Sequence, residues 1–248
     1  MKVVVIIPAA GLGIRMTAAE SAPRTAVGKA PSKQFAEING VPILIHTLRK
    51  FVSIPQVQEI CLALRKAEAE SFRPRLEKEH FQKSILIVEG GEHRQGSVSN
   101  ALVQIKAEAD DIVLVHDAVR PLVDEETIVN VIAAAQKYGA AIAGLPAVDT
   151  VKQVDRTSHG AIITSTLPRE HVVLAQTPQG FRFGILQKAF AEASADGFIG
   201  TDEASLVERS RQDVVVVMGS PRNIKITTPA DMELAEFYMS QKSRRAVG

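Results

Sequence analysis

Cysteine occurs once in the 248 residues, tryptophan not at all and tyrosine twice. With Cys61 alone, no intrachain disulfide and no cysteine metal cluster can form, which fits a reducing cytosol. No charge of one sign dominates: 29 Lys and Arg stand against 28 Asp and Glu. That balance argues against a broad nucleic-acid-binding face and leaves room for one small basic pocket. No apolar run approaches the roughly 18 residues of a membrane helix. The opening MKVVVIIPAAGLGIRM is short and β-branched, and it ends in a glycine turn rather than a cleavage site. It reads as a first strand and not as a targeting segment. The expectation is a cytoplasmic protein with neither nucleic acid nor membrane as partner.

What the chain does have is alternation. Val- and Ile-rich runs at 3–9, 58–64, 84–90, 111–117, 140–146 and 213–219 read as strands that are apolar on both faces. Between them, 41–53, 66–79, 94–108, 124–138, 182–195 and 229–241 carry helical spacing. Alternating strands and helices predict an α/β fold with a doubly wound, mostly parallel sheet, here as one domain over 1–248. Ligands are then expected beyond the carboxyl ends of the strands.

Two segments break the rhythm. Residues 17–32, TAAESAPRTAVGKAPS, form a long loop of the kind that serves as a lid or binding loop. Within 147–176, TVKQV and AIITST flank the turn DRTSHG, so 147–171 is expected to project as a β-hairpin arm. The arm carries Val148, Val151, Val154, Ile162 and Ile163, too many apolar side chains for a hairpin left alone in water. A second copy of the chain, packed about a two-fold axis, is the expected cover.

In PAAGLGIRM the third glycine of a dinucleotide fingerprint is replaced by Met16, and around Gly28-Lys29 the P-loop pattern fails as well. The stretch fits either an ordinary strand-to-helix turn or a phosphate cradle. In the cradle, the small residues Ala9, Ala10, Gly11 and Gly13 admit oxygens to backbone amides, Arg15 supplies charge, and Lys33 supplies a second cation after the loop. In VHDAVRP, Asp117 ends a core strand, where a carboxylate can hold Mg²⁺, cap a helix or pair with Arg120. In GGEHRQGSV, the amides and Ser97 suit either a nucleobase edge or a polar helix start. TDEAS at 201–205 reads as a helix N-cap box opening at Thr201. Lys225, between Ile224 and Ile226, either reaches solvent or binds an anion.

Taken in order, PAAGLGIRM, SKQF, GGEHRQGSV, VHDAVRP, DTVK, LAQTPQGF, TDEAS and NIKITTPADMELAE resemble the 2-C-methyl-D-erythritol 4-phosphate cytidylyltransferases of the non-mevalonate isoprenoid pathway, from residue 3 to about 238. The resemblance implies a nucleotidyltransferase-type fold whose arm interlocks in a homodimer. It implies transfer of CMP from CTP to methylerythritol phosphate, giving a CDP-alcohol and pyrophosphate with Mg²⁺ as cofactor. It implies Arg15 and Lys33 on the triphosphate, and Ala9, Ala10, Gly91, Glu92 and Ser97 around cytosine. Asp117 falls on the metal, and Arg120, Thr150, Arg169, Thr177 and Lys225 fall on the methylerythritol phosphate. Thr150 and Arg169 would reach it from the neighbouring subunit. Two departures stand out: Ser32 replaces a proline common before the lysine, and Arg222 occupies a place that is acidic in some members, leaving no second carboxylate for the metal.

The remaining readings are a related cytidylyltransferase acting on ribitol 5-phosphate or another sugar phosphate, and a non-catalytic nucleotide-binding protein. Arg15, Lys33, Asp117 and Lys225 occurring together speak against the latter.

Overall fold

The computed structural model describes residues 1–11, 32–158 and 160–245. Gly13, Arg15 and positions 17–31 of the long loop lie outside them. The first strand, β1 (Val3–Pro8), runs parallel to β4 (Val57–Leu64) on one side and to β6 (Ile112–Val115) on the other. Beyond β4 lies β5 (Ser84–Glu89), again parallel. A small hairpin of β2 (Glu37–Ile38) and β3 (Val41–Pro42) sits apart from the main sheet. On the far side of β6 come β10 (Val173–Arg182), β7 (Ala140–Pro146) and β11 (Val215–Met218). The seven-stranded order is β11-β7-β10-β6-β1-β4-β5, and β10 alone runs antiparallel to its neighbours. The fold is therefore the expected mixed, mostly parallel sheet.

Two-residue periodicity makes β1 the middle of three layers. Val3, Val5 and Ile7 face a core completed by α1 (Ile43–Val52), α2 (Lys66–Glu77) and α4 (Glu125–Tyr138). Val4 and Ile6 face the opposite core, built from α3 (Arg94–Gln104), α5 (Phe183–Ala195) and α6 (Glu203–Arg209). Every one of these β1 side chains is at most 2% exposed, so the strand carries an uninterrupted apolar run rather than an alternating one. The last helix, α7 (Pro229–Arg245), packs Ala235 against Ile38, Val119 and Ile226.

Helix ends follow local chemistry. Asp124 caps α4 by accepting from the Thr127 amide at 2.8 Å, and Gly139 closes the helix at φ +92°, a conformation that favours glycine. TDEAS does form a capping box, but its cap is Asp202 rather than Thr201: Asp202 accepts from the Ser205 amide at 2.9 Å, and the Ser205 side chain reaches back to the Asp202 amide.

The arm is β8 (Val151–Thr157) paired antiparallel with β9 (Gly160–Leu167). Its strands are longer than TVKQV and AIITST, because Asp155, Arg156 and Thr157 of the expected turn pair with Ile162, Ala161 and Gly160. Apolar periodicity does not predict the strand β10. Its sequence, VLAQTPQGFR, is interrupted by glutamines and Pro178. Pairing with β7 runs from Val173 to Ala175, skips Gln176, Thr177 and Pro178, and resumes at Gln179. The proline is tolerated because it stands in that interruption, where no β7 ladder partner is required. Among the described residues no helix is long and apolar enough to cross a membrane.

Candidate active site

The strand order reverses at β1, since its successors lie to one side and β6 to the other. In open α/β sheets such a switch point opens a crevice beyond the carboxyl ends of the strands. A cavity of about 340 Å³ lies there, lined by Pro8 to Gly11 after β1, by Gly91 to Arg94 and Ser97 after β5, and by Asp117 to Val119 after β6. Lys33, Gln34 and Lys225 complete it. A second cavity of about 190 Å³ adjoins it, lined by Arg94, Asp117, Arg120, Gln176, Thr177, Gln179, Thr201, Asp202 and Lys225 among others.

Close packing shapes the first cavity. Ala9 donates to Ala63 at 2.8 Å and accepts from Gln34 Nε2 at 2.7 Å, which ties the turn bearing Lys33 to the end of β1. Gly90 lies against Ala10 so closely that an added Cβ would stand 2.3 Å from the Ala10 Cβ. A Cβ on Gly91 would stand 2.7 Å from the Gly96 backbone. The glycine pair thus lets the β5–α3 loop fold onto both β1 and the first turn of α3. Ser97 is 2% exposed; its hydroxyl accepts from the Gly91 amide at 3.1 Å and donates to His93 O at 3.2 Å. It closes this loop, and Glu92 lines the cavity beside it.

Asp117 is the electrostatic centre. Its Oδ1 accepts from Arg94 Nε at 3.2 Å, and its Oδ2 accepts from Arg120 Nε at 3.2 Å and from Lys225 Nζ at 2.9 Å. Burial works to raise its pKa, but Arg94, Lys225 and Arg120 outweigh burial and hold the carboxyl well below the usual range. Arg120 is itself fixed by donating from Nη1 to Asn223 O at 2.6 Å. The turn that presents Asp117 is held from several sides. Thr47 donates to Ala118 O at 2.8 Å, Ile226 N donates to Val119 O at 2.9 Å, and the Asp117 amide donates to Thr177 Oγ1 at 3.1 Å.

His116 underpins the same turn. Its Nε2 donates to Arg120 O at 3.1 Å, so Nδ1 is the acceptor and the Thr177 hydroxyl donates to it at 3.1 Å. Burial pushes the imidazole down to about 4, which keeps it neutral. Thr177 lines the second cavity, yet its one proton is committed to His116. A Mg²⁺ ion usually takes one or two carboxylates and completes its shell with substrate phosphates and water. Asp117 is the carboxylate that both cavities share, so such an ion would compete there with Arg94, Arg120 and Lys225; no group of three or more His, Cys, Asp or Glu that could hold a metal occurs among the described residues.

Lys33, Ala9, Ala10, Gly11, Gly91, Glu92, Ser97, Asp117 and Lys225 thus come together around the first cavity, and Arg120 and Thr177 join at the second. Thr150 and Arg169 line neither; Arg169 sits at the base of the arm and donates to Val148 O at 2.9 Å. Sequence reading places neither Arg94 nor Glu203 in the site, because GGEHR and TDEAS each read as a helix start. The structure joins them: Arg94 Nη1 donates to Glu203 Oε1 at 2.7 Å across 109 positions. Gln176, Gln179, Thr201 and Asp202 are further residues of the second cavity. Their signal lay in LAQTPQGF and TDEAS, the motifs that flank it.

A mixed, mostly parallel sheet with a basic cavity at its switch point, a buried carboxylate among cations and, among the described residues, no nucleophile–base pair at the cavity walls defines an α/β nucleotidyltransferase. The model of the 2-C-methyl-D-erythritol 4-phosphate cytidylyltransferase family matches residues 3–241, and the chain belongs to that family. A protein of that name from Acidobacterium capsulatum is 56% identical over 245 residues, covering 99% of this chain and 100% of the relative. Another from Solibacter usitatus is 48% identical over 246 residues, covering 99% of each. The crystal structure of the Francisella tularensis 2-C-methyl-D-erythritol 4-phosphate cytidylyltransferase superposes with a TM-score of 0.78 at 36% identity, covering 96% of this chain and 99% of that one.

Proposed function

We propose that the larger cavity takes CTP and the smaller one the phosphate end of 2-C-methyl-D-erythritol 4-phosphate, so that the chain performs its family's cytidylyl transfer by direct in-line attack. The observation that carries this is the placement of Asp117 and Lys225 on the wall common to both cavities. A phosphate monoester, with a second pKa of about 6, is already a dianionic nucleophile at neutral pH. It needs no general base. What it needs is alignment and neutralised charge, and the cations around Asp117 are suited to supply both.

In this reading Ala9, Ala10, Gly11, Gly13, Gly91, Glu92 and Ser97 form the nucleotide side, with Ser97 acting through the loop it closes. Arg15 and Lys33 meet the triphosphate. Arg120 and Lys225 hold the acceptor phosphate, and Thr177 shapes that pocket from behind Asp117. Asp117 would hold Mg²⁺, which supplies charge neutralisation on the phosphates when bound. Thr150 and Arg169 act on the site of a second copy, which fits their absence from both cavities of their own subunit. A homodimer through the 147–171 arm is supported by the exposure of Ile162 and Ile163, 62% and 61%. A cytoplasmic setting is supported by the single cysteine, Cys61, which leaves no intrachain disulfide to form.

The test is pyrophosphate release from CTP, UTP, ATP and GTP, each offered with methylerythritol, ribitol and hexose phosphates. CTP with methylerythritol phosphate should exceed every other pair by at least tenfold. Equal or faster turnover with ribitol 5-phosphate would transfer the assignment to the related cytidylyltransferases. No pyrophosphate from any pair would leave a binding protein.

A further inference from the structure

The two cavities share three lining side chains: Arg94, Asp117 and Lys225. In cytidylyl transfer, an acceptor phosphate oxygen forms a bond to the α-phosphorus while the bond from that phosphorus to the bridging oxygen breaks. The electron pair leaves with pyrophosphate. The reacting phosphorus must therefore be reached from both cavities, and among the described residues the side chains on their common wall are placed to meet it from both sides. Asp117 and Lys225 already have roles there; Arg94 has none.

The guanidinium of Arg94 is held and yet not fully used. Nη1 donates to Glu203 Oε1 at 2.7 Å and Nε donates to Asp117 Oδ1 at 3.2 Å. No hydrogen bond among the described residues engages Nη2, and the side chain keeps 27% of its exposure. Glu203, at the first position of α6, is 1% exposed, and its Oε2 is buried without a hydrogen-bond partner among the described residues. A carboxylate buried on a single partner is costly. Its one contact holds the fork of an arginine that lines both cavities and keeps one nitrogen without a hydrogen bond among the described residues.

We propose that Arg94 is a further catalytic residue, its Nη2 edge meeting the phosphoryl oxygens in transit between the cavities, and that Glu203 is the positioning residue that aims it. The proposal rests on the cytidylyl-transfer reading of the site. Arg94 neither gives nor takes a proton; it meets negative charge as that charge shifts toward pyrophosphate. Lysine cannot substitute, because one ammonium cannot hold Glu203 and Asp117 in the arginine's planar geometry and present a third edge as well.

The test uses steady-state kinetics of the full chain with CTP and methylerythritol phosphate, with thermal melting measured alongside. Arg94→Lys keeps a positive charge against Glu203, so it should melt near the wild type and lose kcat roughly a hundredfold, with both KM values within threefold. Glu203→Gln still accepts from Nη1 and should lose kcat by a smaller factor, again without a KM change. Should Arg94→Lys fail to fold, Arg94→Gln combined with Glu203→Gln leaves no unpaired buried charge and should show the same kcat loss. A kcat within threefold of wild type in the folded variant, or a loss confined to the KM for CTP, overturns the proposal. A wild-type chain that releases no pyrophosphate from CTP and methylerythritol phosphate would overturn the underlying reading instead.

Discussion

The Thr177 hydroxyl stands 3.1 Å from the His116 Nδ1 and 3.1 Å from the Asp117 amide, linking β10 to the turn that carries the central carboxylate. His116 titrates below its ordinary value, at about 4, because it is fully buried. An unfolded histidine binds its proton near 6.5, so the unfolded state gains protons first as pH falls. His116 therefore contributes stability above about 6.5, which is lost progressively down to about 4, to a total of about 3 kcal/mol. Urea unfolding at pH 7.5 and pH 4.5 should show a larger loss for wild type than for His116→Gln. Equal losses would remove His116 from the account.

Asp117→Asn leaves Arg94, Arg120 and Lys225 around a neutral amide. Breaking a buried charge cluster in this way should cost about 3 kcal/mol of stability. If Asp117 also holds Mg²⁺, turnover should fall by roughly a hundredfold or more in a fully folded sample, and the Mg²⁺ concentration for half-maximal rate should rise. A folded variant with wild-type Mg²⁺ dependence would make Asp117 a charge hub alone.

Gly90→Ala would drive a Cβ to within 2.3 Å of the Ala10 Cβ and 3.2 Å of Ser97 Oγ. The Ala10 Cβ has no torsion that could move it away, so backbone must shift, at about 1–3 kcal/mol. Because Ala10 lines the larger cavity, the KM for CTP should rise at least tenfold while that for the alcohol phosphate stays within threefold. Gly11→Ala provides the contrast: an added Cβ there meets nothing within 4 Å among the described residues, so melting should be unchanged.

The arm is tested by complementation. Arg169→Met damages only the arm, and Lys225→Met damages only the cavities. If arms act on the neighbouring subunit, each variant is inactive alone. Mixed after reversible dissociation, they should recover about a quarter of wild-type activity, since half the dimers are mixed and each mixed dimer holds one intact site. No recovery, with mixed dimers demonstrated, would place the arm on its own subunit. Separately, Ile162→Asp should shift the sedimentation coefficient from dimer to monomer.

The six parallel strands β1, β4, β5, β6, β7 and β11 were legible because each carries a run of Val, Ile and other apolar residues bounded by turn or helix signals. The loops at their carboxyl ends were legible for a different reason: small residues, an aspartate and cations gathered just past buried strands suit a ligand at that end of an open α/β sheet. The polar run VLAQTPQGFR was not legible as a central strand, since its side chains serve the site rather than a core. Arg94 and Glu203 were hidden differently. Each satisfies a local rule as a helix start, and only the packing of α3 near α6 reveals that they meet.

The strand β10 acts on the site as a ruler. From neighbouring positions it sends Gln176 to Ser220, Thr177 to His116 and Asp117, and Gln179 to both Asp202 and the Ala204 amide. Three separate loops are thus spaced against one backbone. Because side chains alternate faces, a slip of a single residue would break all of these contacts at once. Substitutions across the arm's outer surface leave that calibration untouched, whereas one inserted residue between Ala175 and Gln179 would misalign both substrates without disturbing either hydrophobic core.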